Sequence, residues 1–131
     1  MTEVFQQTFE TVARHLFAQG TRSVMSKPDT STCAYRGTNG RKCAVGVLIP
    51  DDQYRAAMEY RTVFALDVQW EKMPMWMRGG DGLLFVKRLQ EAHDQTVGWV
   101  STERMRAKLR AIADEHKLDA AFLDTLSFKD R

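Results

Sequence analysis

Cys33-Ala34-Tyr35-Arg36-Gly37-Thr38-Asn39-Gly40-Arg41-Lys42-Cys43-Ala44-Val45-Gly46-Val47-Leu48-Ile49-Pro50-Asp51-Asp52-Gln53-Tyr54 holds both cysteines of the chain, a turn signal, a cationic cluster and an apolar run. How these 22 residues (33 to 54) are read decides the fold. Asn39-Gly40 supplies the positive backbone angles that tight hairpin turns demand, and extended-type residues flank it. A small β-hairpin over residues 33–45 is therefore expected. A two-residue loop would set Arg36 opposite Cys43, a three-residue loop would set Tyr35 there, and about five loop residues would bring the two cysteines face to face. Ala44 to Ile49 reads as a buried helical turn that breaks near Pro50. Pro50-Asp51-Asp52 then starts a helix through Tyr54, Ala57 and Met58, with proline in the first turn and acids complementing the dipole.

On either side of this stretch the pattern is helical. Phe5, Phe9, Val12, Ala13, Leu16 and Phe17 recur at helical spacing over residues 3–19, Thr2 can cap that helix, and Gly20 can end it in a left-handed turn. His15 borders the stripe, where an imidazole serves structure more readily than catalysis. Residues 21–32 have loop composition. Val63, Phe64, Leu66, Val68 and Trp70 suit a strand or a helix, and the helical reading is preferred. Met73-Pro74-Met75-Trp76-Met77 reads as a core plug, with an exposed soft binding surface as the alternative. Asp81 can cap a helix that buries Leu83, Val86, Leu89 and Ala92 or His93. Ser101 can cap another, with Met105, Leu109, Ile112, Ala113 and His116 on one face, and Asp119 a last short one before the tail Lys129-Asp130-Arg131. The expected fold is mainly α (α+β), a single helical domain of five or six helices over residues 1–131: a helix at 1–20, one small β-hairpin at 33–45, and a helical remainder over 46–131.

The bulk properties bound the function without choosing it. A chain of 131 residues should bury roughly 65 to 70% of its unfolded surface, enough for a core without staples. At 44% hydrophobic and 27% charged residues with a net charge of +2, it belongs with ordered globular domains and lacks the strong basicity of dedicated nucleic-acid binders. No apolar run approaches the roughly 20 residues needed to cross a bilayer, and no signal peptide is apparent, so no membrane partner and a cytoplasmic location are expected. Cys33 and Cys43 then read as free thiols.

Three constellations carry candidate chemistry. In the first, Tyr35, Arg36, Arg41 and Lys42 form a cationic and aromatic turn shaped by Asn39 and Gly40, able to bind a small anionic ligand or an acidic protein surface. In the second, the same turn joins Arg104, Arg106, Lys108 and Arg110 to contact nucleic acid, although Glu103, Asp114 and Glu115 dilute that helix. In the third, Cys33, Cys43, His93 and Asp94 offer the residue types of a small hydrolase or metal enzyme. The nine residues between the cysteines are wider than a structural zinc knuckle uses, and core thiols are the simpler account, so no metal, no cofactor and no catalytic residue is expected.

Cys33-Ala34-Tyr35-Arg36, Gly40-Arg41-Lys42-Cys43-Ala44-Val45-Gly46, Leu48-Ile49-Pro50-Asp51 and Tyr54 together resemble a signature of small bacteriophage and prophage proteins. In these, a similar helix precedes the signature and a stretch like Leu89-Gln90-Glu91-Ala92-His93-Asp94 follows it. The resemblance brings no activity with it. It implies an accessory protein that binds and redirects host machinery or disarms host defence. Together with the cationic turn, the expectation is non-enzymatic binding of a host protein or small anionic ligand, and exposure of the Met73 to Met77 cluster would favour a homodimer.

Overall fold

The apolar stripes of three helices meet on one another in the computed structural model, which describes residues 2–25 and 33–129. Helix α1 (Thr2–Gln19) buries Phe5, Phe9, Val12, Ala13, Leu16 and Phe17, as its spacing predicts. Helix α2 (Gly80–Asp94) turns Phe85, Val86, Leu89, Ala92 and His93 inward. Helix α3 (Thr102–His116) contributes Met105, Leu109, Ile112 and Ala113. Phe5 stacks on Phe85 with ring centroids 4.6 Å apart, and Phe9 meets Phe122 edge-on at 5.6 Å. Burying each such large side chain stabilises by roughly 1.5 to 3 kcal/mol, so Leu89→Ala would open a damaging void.

The helix ends follow from local chemistry. Gly20 has φ 74°, and its N–H donates to the Leu16 carbonyl at 2.9 Å, ending α1 in a left-handed turn. The Ser101 hydroxyl accepts from the Arg104 N–H at 3.1 Å, capping α3, which ends where Lys117 turns left-handed and the Leu118 N–H returns to the Ala113 carbonyl. Helix α2 begins without a side-chain cap, after Gly79. At Gly82 a β-carbon would lie 1.6 Å from the Trp76 carbonyl oxygen, so glycine lets that turn close on the helix.

Between α1 and α2 the helical elements among the described residues are short 3₁₀ turns: Thr38–Gly40, Gly46–Leu48, Asp51–Gln53, Ala56–Met58, Val63–Val68 and Met75–Met77. The longer helix expected after Pro50 is thus two separate turns. The fold is mainly helical, and the expected β-hairpin at 33–45 is not formed: no β-strand occurs among the described residues. Asn39 and Gly40 do take positive φ, 58° and 72°, and one isolated bridge pairs Arg36 with Lys42. The ladder stops there because side chains take its backbone groups. The Tyr35 and Arg36 N–H groups donate to the Glu59 carboxylate at 2.9 and 3.1 Å, and the Lys42 N–H donates to Gln19 Oε1 at 2.8 Å. The Lys42 carbonyl accepts from His15 Nε2 at 2.8 Å and Gln19 Nε2 at 2.9 Å, giving His15 its structural role.

Met73 and Met77 are buried, Trp76 is half-buried and Met75 is exposed, so the methionine cluster is core on one side and surface on the other. No helix among the described residues is long and apolar enough to cross a membrane. Residues 26–32 of the expected loop, and Asp130 and Arg131 of the tail, lie outside the described residues.

Candidate functional site

The opening stretch folds into a knot around one carboxylate. Besides the two backbone N–H groups, Glu59 accepts the Tyr54 hydroxyl at 2.6 Å. The Arg36 guanidinium lies over the Tyr54 ring, 4.9 Å from its centroid, donates to the Ile49 carbonyl at 2.7 Å and pairs with Asp51 at 2.8 Å. Lys42 reaches the same Asp51 oxygen at 3.7 Å. Tyr35 is buried, with its hydroxyl donating to the Arg61 carbonyl at 2.6 Å. Burial pushes both phenols up, at Tyr54 reinforced by its hydrogen bond to the Glu59 carboxylate. Below them, a β-carbon on Gly46 would lie 2.1 Å from the Tyr35 carbonyl oxygen.

Of the residues the sequence nominates for binding, Tyr35 thus faces the core, while Arg36 and Lys42 converge on Asp51. Asn39 and Gly40 form the exposed tip, and the half-buried Arg41 follows them, its carbonyl accepting the Gly37 N–H at 2.9 Å. On α3, Arg106 is spent on the Leu123 and Leu126 carbonyls at 2.6 to 3.1 Å, Arg110 pairs with Asp124 at 2.7 Å, and Lys108 bonds Gln95.

The cysteines are both free, and their environments differ. Cys43 is fully buried and accepts the Gly46 N–H at 3.2 Å; burial pushes its thiol up to about 12. Cys33 is half-buried and gathers with His93 and Asp94, their ligand-type atoms all within 4.8 Å. His93 decides what this cluster can do. Its Nε2 accepts the Ser23 backbone N–H at 2.8 Å, so Nε2 carries the lone pair and Nδ1 the proton, which is donated to Asp94 Oδ1 at 2.8 Å. A metal on Nδ1 would move the proton to Nε2, where it would face the Ser23 N–H donor; the residues present do not fit a resident ion. Neither ring nitrogen is open to take a proton from Cys33. Burial and then the Asp94 carboxylate push that thiol up to about 11, against the opposing pull of Arg22, so it is a poor nucleophile near neutrality. Arg22 donates to Cys33 Sγ at 3.6 Å and to the Asp94 carbonyl at 3.3 Å. The cluster clasps the chain after α1 onto the end of α2.

Between the clasp and the knot lies an open pocket of about 300 Å³. Cys33, Gln90 and Asp94 are among its lining residues on the α2 side, and Tyr35, Tyr60 and Phe64 contribute its aromatic part. Gln90 joins the two structures, accepting the Val45 N–H at 3.0 Å and donating to Asp94 at 3.1 Å. Tyr60 is left-handed at φ 65° and its side chain is 66% exposed. Phe64 and Val68, four and eight residues on, are also exposed, at 53% and 69%. Sequence reasoning missed Glu59, Tyr60, Phe64 and Gln90 as candidate positions. For Gln90 a signal existed, because the 89–94 stretch belongs to the resemblance; for the aromatics, residue type alone does not separate core from surface.

A larger groove of about 570 Å³ borders Phe5, Trp76 and His116, but its aromatic rings are already engaged with Phe85 and one another. Compared with protein-family models, curated proteins and solved structures, the chain matches none.

Proposed function

We propose that this chain is a phage-type accessory protein that acts by binding a host protein, without chemistry of its own, through the ridge Tyr60, Phe64 and Val68 and the pocket beside it. The observation that carries the reading is Tyr60. A bulky residue in the left-handed region costs about 1 to 2 kcal/mol, yet this one spends that energy holding an aromatic ring in solvent. Two further apolar side chains, Phe64 and Val68, are exposed on the 3₁₀ turn that follows. An exposed aromatic and aliphatic ridge is the usual anchor of a protein contact. A host protein is favoured over a small anion because Asp51 already neutralises Arg36 and Lys42. The protonated thiols and fully engaged His93 support binding over catalysis.

The test is capture from the native host with wild-type chain and with Tyr60→Ala/Phe64→Ala, identification by mass spectrometry, and affinity measurement with the purified partner. The double variant should weaken that affinity at least about tenfold, a loss of about 1.4 kcal/mol or more, with an unchanged melting temperature. Equal binding by the variant would overturn the reading, as would sedimentation showing the ridge buried between two copies of this chain.

A further inference from the structure

Resting on that reading, we infer that the pocket beside the ridge receives one arginine side chain of the partner. Its volume of about 300 Å³ lies at the bottom of the range for small-molecule sites and suits a single long side chain. Asp94 is held ready: His93 Nδ1 and Gln90 Nε2 both donate to its Oδ1, fixing the carboxylate while the side chain stays 42% exposed. Glu91 adds a second carboxylate to the lining.

The two cations of the lining, Arg61 and Lys87, each have a partner of their own. Arg61 Nε donates to the Ala57 carbonyl at 3.1 Å, while Arg22, which touches the lining residue Cys33, also donates to the Asp94 carbonyl. Lys87 pairs with Glu91 at 3.7 Å and lies over Phe64, 5.5 Å from the ring centroid, which shows that this ring accepts a cation on its face. A guanidinium fits better than an ammonium because it is planar: it can stack on Phe64 or Tyr60 while forking onto a carboxylate, and it gives up hydration more readily.

The probe is N-acetyl-arginine methylamide, titrated into the isotope-labelled full chain and followed through backbone amides and the Gln90 side-chain amide. N-acetyl-lysine methylamide and agmatine serve as separate arms. Saturable shifts confined to residues 60–64 and 90–94 are expected with the arginine probe, weaker ones with lysine. Glu91→Gln should weaken binding severalfold and Asp94→Asn should abolish it. The Glu91 carboxylate pairs with Lys87 at the surface, outside the clasp, so its variant remains informative if Asp94→Asn loosens the clasp.

Absence of saturable shifts there, equal response to arginine and lysine, or indifference to both variants would overturn the inference. Tighter binding of agmatine than of the capped arginine would assign the pocket to a free amine and overturn the partner side chain. If the arginine probe fails while Tyr60→Ala/Phe64→Ala still releases the host protein, the ridge reading stands and this inference alone falls. If the probe binds and the double variant releases nothing, the host-protein reading falls.

Discussion

The knot around Glu59 and the ridge from Tyr60 to Val68 are neighbours in sequence and opposites in physics. In the knot, two backbone N–H groups, the Tyr54 phenol and Arg36 Nη2 find partners at 2.6 to 3.1 Å. On the ridge, three large apolar side chains stand in solvent and one residue sits in a conformation its side chain disfavours. Charge and aromaticity in the first region are consumed by the fold, whereas the plainer second region keeps its side chains available. A conspicuous motif can therefore be scaffold, and the surface it supports can lie just beyond it.

The contrast breaks most visibly at Glu59. Glu59→Ala leaves two backbone donors and the Tyr54 hydroxyl without their acceptor and should cost about 4 kcal/mol, lowering the melting temperature by roughly 15 °C. A shift under a few degrees would mean the knot is not what holds this region. Gly46→Ala should follow at about 3 kcal/mol, because the new methyl meets backbone oxygen and forces Tyr35 to move; urea denaturation reads it.

Alkaline pH probes the same region. Cys43 keeps its proton more tightly folded than unfolded, with values of about 12 against an ordinary 9.0. Stability from this thiol is thus unchanged below about pH 9 and falls as pH rises through that window, by at most about 1.4 kcal/mol per pH unit. Cys43→Ser should flatten that decline, measured by denaturation at successive pH values.

At the ridge the expected stability effects are small or reversed. Tyr60→Gly relieves the left-handed strain and should leave the chain between about 0 and 1 kcal/mol more stable, while weakening partner binding. If that variant is strongly destabilised, Tyr60 belongs to the scaffold and the contrast disappears.

Helices α1, α2 and α3 were legible because a 3.6-residue apolar period is local information, as were the Ser101 cap and the Gly20 turn. Asn39-Gly40 was equally legible as a turn, but what surrounds it was not. Whether Tyr35 and Lys42 pair into strands depends on Glu59 and Gln19, 24 and 23 residues away, whose side chains take the backbone groups first. No local pattern contains that competition. The same limit hid the pocket: residues 89–94 could be singled out, but their junction with Tyr60 and Phe64 exists only after the turns have closed. Met73-Pro74-Met75-Trp76-Met77 was ambiguous because the segment faces both ways.

The clasp at His93 also bears on how fast this chain can fold. Its bond to the Ser23 N–H spans 70 residues, the Gln90 bond to Val45 spans 45, and Gln6 reaches the Asp119 backbone across 113. Helical domains usually fold within microseconds to milliseconds because their contacts are local. Here the stretch between α1 and α2 has few regular elements of its own and waits on distant side chains. Stopped-flow refolding should show it gaining protection late, well after the helices form, at a pace closer to that of a β-domain.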